Sequence, residues 1–159
     1  MTDPRHSVVR FARLSHEHIP LLLPIEIETY PDPWTHGLFR QEVENGASHF
    51  VVATIGGKIV GYGGYWLLLD EAHITKLTVD PQVQRCGLGE RLMQYLIRRA
   101  RRAGAVVMRL EVRESNLPAR RLYEKLGFHE VGLRKGYYAK TNEAAVVMAR
   151  TLDTAAPQG

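Results

Sequence analysis

The loop Gln84-Arg85-Cys86-Gly87-Leu88-Gly89 lies between a predicted strand and a predicted helix that is rich in arginine. The first turn of a helix has N–H groups without intrahelical acceptors and carries the positive end of the helix dipole, so it attracts anions. Glycine also lets an anion approach the backbone closely. The loop is therefore predicted to hold a phosphate or a pyrophosphate.

Two nucleotide-binding motifs and a structural role are the other interpretations of the loop. A Walker loop needs Gly-Lys-Ser/Thr, which is absent, and a dinucleotide fingerprint needs a third glycine where Leu92 stands. A purely structural alternative is that Gly87 and Gly89 only relieve crowding at a strand-to-helix turn. The loop alone leaves phosphate binding and this structural role open.

Motifs on both sides of the loop extend the pattern. They are Leu77-Thr78-Val79-Asp80-Pro81, Asn116-x-x-Ala119-x-x-Leu122-Tyr123 and Gly127-Phe128. Together with Gln84-x-x-Gly87-x-Gly89 they resemble the Gcn5-related N-acetyltransferase (GNAT) superfamily over nearly the whole chain. The resemblance implies an N-acetyltransferase that uses acetyl-CoA as co-substrate and no metal. It also implies an α/β fold with a mostly antiparallel sheet of about six or seven strands and about four helices.

Further motifs narrow the resemblance. They are Tyr30-Pro31-x-Pro33-Trp34, Asp70-Glu71-Ala72-His73-Ile74, Leu110-Glu111-Val112-Arg113, Ser115-Asn116 and Gly132-Leu133-Arg134-Lys135-Gly136-Tyr137-Tyr138. They resemble the RimI branch, which acetylates the N-terminal α-amine of proteins and, in bacteria, the N-terminal alanine of a small-subunit ribosomal protein. The resemblance implies such an acceptor protein as the partner.

The resemblance also implies which residues hold acetyl-CoA. Backbone groups of Leu77, Thr78 and Val79 are expected to contact the pantetheine arm and to polarise the thioester carbonyl. The pyrophosphate is assigned to Arg85, Cys86, Gly87, Leu88, Gly89 and Glu90. Gln84 is a further cofactor-binding residue, and Asn116 is expected to contact the cofactor beyond the pyrophosphate. Cys86 departs from the family, where Arg, Gly or Lys is more usual. Binding through main-chain N–H groups should tolerate the change, and an inert side chain is favoured over a redox switch.

Glu111 is the expected general base, because the resemblance puts the proton acceptor at this position. An α-amine titrates near pKa ~8, so a modest base suffices at neutral pH, acting directly or through water. The alternative is a solvated ion pair of Glu111 with Arg109 or Arg113 on the same strand face. Glu114, His73 and Glu71 are the substitutes for the base.

Tyr123 is the expected general acid, which protonates the leaving thiolate. A phenol titrates near pKa ~10 and a thiol near ~8.5, so the transfer depends on proximity. The alternative is that Tyr123 is only a core aromatic residue of its helix.

Four aromatic residues are candidates for the acceptor groove: Tyr30 and Trp34 in the first interhelical linker, and Tyr137 and Tyr138, which are expected between the last two strands. Rim packing is an equal alternative for them. Ala144 departs from the RimI pattern, which favours Asp there, and this affects only the acceptor end.

Local patterns predict the order β-α-α-β-β-β-α-β-α-β-β. The expected strands cover residues 7–13, 49–55, 58–69, 72–79, 106–113, 128–134 and 144–151. The expected helices cover 19–27, 35–44, 87–103 and a segment that Ser115 or Asn116 caps and Gly127 ends. Gly56-Gly57 is a hairpin signal. One domain over residues 1–159 is expected, folded over about 7–151 with flexible ends at 1–6 and 153–159.

Composition excludes several classes of protein. Hydrophobic residues make up 45% and charged residues 24% of the chain, which are ordinary globular values. A single cysteine, no signal-peptide pattern and no long apolar run indicate a cytoplasmic protein without membrane contact. The oligomeric state stays open.

Charge is concentrated near the loop. Residues 85–102 carry six arginines against Glu90 alone, in a chain of net charge +4. This favours a nucleotide cofactor as the anionic ligand, and direct nucleic-acid binding is not expected. Three alternative functions stay open. They are a small-molecule or lysine acetyltransferase, a non-catalytic acyl-CoA-binding module, and a nucleic-acid binder that uses the basic face of residues 98–102.

Overall fold

The computed structural model describes residues 8–83 and 87–152. Within them lie seven strands: β1 (Arg10–Arg13), β2 (Ser48–Ile55), β3 (Lys58–Leu68), β4 (Glu71–Val79), β5 (Val107–Arg113), β6 (His129–Tyr138) and β7 (Glu143–Thr151). The described α-helices are α1 (Ile19–Thr29), α2 (His36–Glu44), α3 (Leu88–Arg102) and α4 (Leu117–Lys125), with short 3-10 helices at His16–His18 and Pro81–Val83. The assignments to Gln84, Arg85 and Cys86 and the expected flexible ends lie outside the described residues.

The described strands form one sheet in the order β1-β2-β3-β4-β5-β7-β6. The pairs β1–β2, β2–β3, β5–β7 and β6–β7 are antiparallel, and β4–β5 is parallel. In the parallel pair, Glu71 lies opposite Val107 and His73 lies opposite Arg109. This architecture confirms the predicted α/β fold with a mostly antiparallel sheet.

The turn between β2 and β3 is the predicted glycine hairpin. Gly56 and Gly57 have φ angles of 57° and 80°. Positive φ at both central residues is the requirement of a type I′ turn, whose twist matches that of the flanking strands. The Gly-Gly signal therefore fixed both the turn and the antiparallel pairing.

Strand β3 carries glycines where β4 approaches it closely. A Cβ atom at Gly63 would lie 2.6 Å from the Lys76 carbonyl oxygen, and one at Gly61 would lie 2.9 Å from the Thr78 carbonyl oxygen. Such distances do not occur between real Cβ atoms and backbone oxygens. Only glycine at these positions leaves the end of β4 where it is.

The chain divides into two compact units, each with buried apolar residues. The first unit runs through Trp66 and includes Thr75–Tyr95. Its main cluster consists of Leu14, Ile19, Leu22, Ile25, Phe39, Phe50, Val52, Ile59 and Tyr62, with Trp34 packed against it. This cluster buries one face of α1 and α2 against β2 and β3. The expectation of a single domain stays a prediction.

The second unit comprises Leu67–Ile74 and the chain from Leu96 onward. Met108, Leu110 and Val112 of β5 are buried, whereas Arg109 is exposed. This confirms the predicted period of two along β5, which puts Arg109, Glu111 and Arg113 on the opposite face.

Several predicted boundaries were wrong. Strand β6 continues to Tyr138, so Tyr137 and Tyr138 end a strand and do not lie between the last two strands. The left-handed φ angle of Gly136, 66°, lets the strand bend without ending. Helix α1 extends to Thr29, two residues further than predicted, because the prolines that stop it come only at positions 31 and 33.

Candidate functional site

Glu111 on β5 is at the centre of a charged cluster in the second unit. Its Oε2 lies 2.5 Å from Nε2 of His73, and Nη1 of Arg134 donates to its Oε1 at 3.4 Å. The Glu111 side chain is 11% exposed and that of His73 is 40% exposed. The carboxylate is thus shielded while its imidazole partner faces solvent.

The arginines on the same strand face as Glu111 have carboxylate partners of their own. Arg109 donates to Glu71 at 2.9 Å, and Arg113 lies 3.5 Å from Glu143. The hydrogen bonds described for Glu111 come from other strands, from His73 on β4 and Arg134 on β6.

The surroundings of Glu111 favour its ionised form. Burial raises the pKa of this carboxyl, but the hydrogen bonds and charges of His73 and Arg134 outweigh burial and lower the pKa below its ordinary value of 4.5. Glu111 is therefore a carboxylate at neutral pH, which is the form that can accept a proton.

Tyr137 adjoins the same cluster. The Arg134 guanidinium lies 4.6 Å from the centre of its ring, a cation–π contact. Burial, and then the charge of Glu111, raise the pKa of Tyr137, while Arg134 lowers it less. The Tyr137 hydroxyl therefore stays protonated as a hydrogen-bond donor beside Glu111.

Tyr123 is a buried residue of α4. Its ring meets that of Phe128 edge-on, with centroids 6.0 Å apart, and its carbonyl accepts from the Phe128 N–H at 2.9 Å. These contacts hold the ring of Tyr123 in place. They agree equally with a role as general acid and with a role as a core aromatic residue.

Asn116 starts α4. Its Oδ1 accepts from the Ala119 N–H at 3.2 Å, so Asn116, rather than Ser115, is the N-cap. The cap occupies the side-chain oxygen of Asn116. The predicted contact of Asn116 with the cofactor stays a prediction, and the side-chain amide nitrogen is the group that could make it.

Arg113 organises the hairpin between β6 and β7. Its guanidinium lies 3.9 Å from the centre of the Tyr138 ring and donates to Thr141 Oγ1 at 2.9 Å. Glu143, which Arg113 also approaches, accepts from the Ser115 N–H at 2.8 Å. The hydrogen bond from Ser115 and the charge of Arg113 lower the pKa of Glu143. Tyr138 is thereby held by its ring face, and the hairpin is tied to the turn before α4.

The first unit contains the end of β4, with Leu77, Thr78 and Val79. The Tyr30 hydroxyl lies 2.6 Å from Oγ1 of Thr78 and donates to the Leu77 carbonyl at 3.2 Å. Tyr30 therefore contacts the segment that is expected to meet the thioester, a link that no sequence motif indicates.

Helix α3 starts directly after Gly87 of the glycine loop. Gly87 has a φ angle of 74°, and among the described residues no atom outside its chain neighbours lies within 4 Å of where its Cβ would be. Its carbonyl accepts the first helical hydrogen bond, from Arg91 at 3.1 Å. By helix geometry the N–H groups of Leu88 and Gly89 then have no acceptor within the helix. These described residues fit a phosphate group.

Trp34 is partly buried. Its ring lies 5.2 Å from that of Phe39 and 6.0 Å from that of Phe50, and Nζ of Lys76 lies 4.5 Å from its centre. These contacts support the packing alternative for much of the ring. Only the part of the Trp34 ring outside these contacts could then face an acceptor peptide.

Two classes of feature are missing from the residues that the structure describes. Residues 8–83 and 87–152 contain no group of three or more His, Cys, Asp or Glu placed to hold a metal ion. None of the described helices combines the length and the apolar composition needed to cross a bilayer.

A family model described as Acetyltransferase (GNAT) family matches residues 19–128, which include β4, the glycine loop, α3, Glu111 and Tyr123. The chain belongs to the GNAT family of acetyltransferases. The resemblance on which the sequence prediction rests is thereby confirmed, and with it the use of acetyl-CoA that characterises the family.

Individual relatives agree with this assignment. The ribosomal protein bS18-alanine N-acetyltransferase of Escherichia coli (strain K12) is 36% identical over 133 residues, 82% of this chain and 89% of that protein. The N-alpha-acetyltransferase RimI of Mycobacterium tuberculosis (strain ATCC 25618 / H37Rv) is 40% identical over 123 residues, 75% of this chain and 76% of that protein. The crystal structure of the Escherichia coli ribosomal-protein-S18-alanine N-acetyltransferase superposes with a TM-score of 0.86 at 31% identity and covers 96% of this chain and 99% of that one. The predicted likeness to the RimI branch is confirmed.

Sequence reasoning missed two residues. Arg134 was not linked to Glu111, because the pairing depends on how β6 lies along β7. Glu26 was not noticed either, although a glutamate next to Ile25 in the apolar stretch of α1 is a recognisable signal of a buried carboxylate.

Proposed function

We propose that the protein transfers the acetyl group of acetyl-CoA directly to the N-terminal α-amine of a protein, with the N-terminal alanine of a ribosomal protein as the expected acceptor. The observation that carries the proposal is the shielded, ionised Glu111, held by His73 and Arg134 in a chain of the GNAT family. Similarity to enzymes named for protein N-terminal acetylation supports the class of acceptor.

Acetyl-CoA would be held mainly by backbone groups. Leu77, Thr78 and Val79 are assigned to the pantetheine arm and the thioester carbonyl, and the N–H groups at the start of α3 to the pyrophosphate. Gln84, Arg85, Cys86 and Asn116 complete the proposed set. When bound, acetyl-CoA supplies an activated acetyl group, and backbone N–H donors aimed at its carbonyl oxygen stabilise the negative charge that develops there.

Glu111 is the proposed proton acceptor. The α-ammonium of the acceptor must lose a proton before its nitrogen can form the new C–N bond. The Glu111 carboxylate is ionised at neutral pH, and the half-exposed His73 imidazole beside it offers a route by which the proton reaches the carboxylate. Arg134 keeps the carboxylate in place and ionised.

Tyr123 is the proposed proton donor. As the C–S bond breaks, the departing sulfur needs a proton, and the phenol of Tyr123 would supply it at short range. The packing of the ring against Phe128 fixes the direction of its hydroxyl. Reprotonation from solvent restores the phenol, and no covalent enzyme intermediate is required.

A direct test uses acetyl-CoA and a peptide that begins Ala-Arg. Mass spectrometry with fragmentation should find one acetyl group on the α-amine. The same peptide with a blocked N-terminus and free lysines is the control. Acetylation confined to lysine, or to small amines, would contradict the proposal in favour of those acceptors, and CoA binding without any turnover would indicate a non-catalytic module.

A further inference from the structure

The carboxylate of Glu26 on α1 is fully buried and accepts three hydrogen bonds. Tyr62 donates its hydroxyl to Oε1 at 2.7 Å, and Oε2 accepts from Lys76 Nζ at 2.6 Å and from the Trp34 N–H at 2.8 Å. The donors come from β3, from β4 and from residues 30–34, the linker between α1 and α2. One side chain thus joins three segments of the first unit.

Lys76 completes an ion pair with Glu26 under the linker. Its side chain is 8% exposed, and its ammonium lies 4.0 Å from the centre of the Tyr30 ring and 4.5 Å from that of Trp34. Both aromatic residues of the linker therefore rest on one buried cation. Burial lowers the pKa of Lys76, and the charge of Glu26 opposes that effect.

The linker is fixed at both ends by this network. At its far end the Trp34 N–H is held by Glu26. At its near end the Tyr30 hydroxyl bonds to Thr78 and to the Leu77 carbonyl. Lys76 precedes Leu77 in the chain, so the linker is anchored beside the segment of β4 that is assigned to the thioester.

Stability alone is a poor explanation for such a pair. Removing two charges from water costs about as much as their attraction returns, and well-packed apolar residues of similar volume are often as stable. What a buried ion pair with several hydrogen bonds adds is a defined geometry. The observed geometry is that of the linker on β4.

We propose that Glu26 and Lys76 are positioning residues that hold residues 30–34 in one place, so that the linker forms a fixed wall for the N-terminal segment of the acceptor. The inference rests on the proposed function. It assigns acceptor binding, rather than proton transfer or acetyl-CoA binding, to this buried pair.

The test compares Lys76→Met and Glu26→Gln with the unaltered protein. Each variant should raise the KM for an Ala-Arg peptide about tenfold, since a loosened wall no longer orients the acceptor. The kcat at saturating peptide and the KM for acetyl-CoA should change less than about twofold, because the groups assigned to them are left in place.

Glu42→Gln is the matched control. Glu42 is also buried, and its Oε1 accepts from Ser48 Oγ and from Trp66 Nε1, each at 2.9 Å. Neither of these two donors belongs to the linker. This variant should lose stability and keep the KM for peptide. If Lys76→Met behaves like Glu42→Gln in both respects, the pair is merely structural and the proposal is wrong.

A second readout does not depend on turnover. Amide exchange of Trp34, followed by NMR, should accelerate at least about tenfold in Lys76→Met and Glu26→Gln and stay unchanged in Glu42→Gln. Unchanged exchange in all variants would overturn the anchoring of the linker. Accelerated exchange in a protein that acetylates no peptide would instead overturn the proposed function, so the two failures are distinguishable.

Discussion

The imidazole of His73 and the carboxylate of Glu111 meet diagonally across the parallel pair of β4 and β5. His73 lies opposite Arg109, and Glu111 lies two residues further along β5 on the same face. The preceding pair repeats the relationship, because Glu71 lies opposite Val107 and bonds to Arg109. The carboxylate of the first pair is shielded, whereas both members of the second pair are about half exposed, so the same register produces a site candidate and a matched control.

Glu111→Gln should lower kcat for peptide acetylation by about 10²- to 10³-fold, the range expected when a general base is lost. The KM for acetyl-CoA should stay within about twofold. Steady-state kinetics with an Ala-Arg peptide measure both. Glu71→Gln removes the ion pair of Glu71 with Arg109, whose two side chains are each about half exposed. This variant should keep kcat within about twofold of that of the unaltered protein. Equal losses in the two variants would remove Glu111 from the chemistry.

The lowered pKa of Glu111 predicts how stability depends on pH. Between the ordinary value of 4.5 and the lower folded value, the unfolded chain binds more protons at this residue than the native chain. This contribution is therefore fully present above pH 4.5, and it is lost as the pH falls through the folded pKa.

Denaturant titrations below pH 4.5 measure this effect. The free energy of unfolding should fall less steeply with decreasing pH in Glu111→Gln than in the unaltered protein. His73→Gln should also give a shallower fall, because it removes the larger of the two partners that lower the pKa. Parallel curves for all three proteins would show that Glu111 titrates alike in the folded and unfolded chains.

The success and failure of the sequence predictions have a common physical cause. The alternation in β5 put Glu111 on the correct face, since face depends only on local period. Its partners were not predicted, because His73 is brought to it by the register of β4 on β5 and Arg134 by the register of β6 on β7. The local signal Gly56-Gly57 predicts its own turn. The continuation of β6 past residue 134, through the bend at Gly136, depends on pairing with β7 and is not visible in the local pattern.

Tyr123→Phe should lower kcat by about tenfold or more while it leaves the fold intact, because it removes the proposed proton donor and keeps the ring against Phe128. The free energy of unfolding should change by no more than about 1.5 kcal/mol, the usual net worth of one hydrogen bond. Steady-state kinetics measure kcat, and denaturant titration measures the free energy of unfolding. Tyr95→Phe, on a ring stacked 4.1 Å from Phe11, is the matched loss of a hydroxyl and should leave kcat unchanged. Full activity of Tyr123→Phe would support the core-aromatic alternative.

Gly63→Ala should destabilise the protein and weaken acetyl-CoA binding together. The added Cβ would lie 2.6 Å from the Lys76 carbonyl oxygen and 3.2 Å from Leu77 Cα, and both are backbone atoms that can yield only if β4 moves. Such overpacking costs about 1–3 kcal/mol. Since the displaced backbone is the segment assigned to the thioester, the Kd for CoA measured by calorimetry should rise at a temperature where the variant is still folded.

Gly46→Ala separates this effect from the general cost of replacing a glycine. Nothing lies within 4 Å of the Cβ position at Gly46, and its φ is outside the left-handed region, so stability should change by less than about 0.5 kcal/mol and the Kd for CoA should not change. A Gly63→Ala protein that is destabilised but binds CoA normally would mean that the exact position of the Leu77 backbone does not matter for the cofactor. In that case the close approach of β3 and β4 would serve packing alone, and the assignment of Leu77 to the thioester would have to be abandoned.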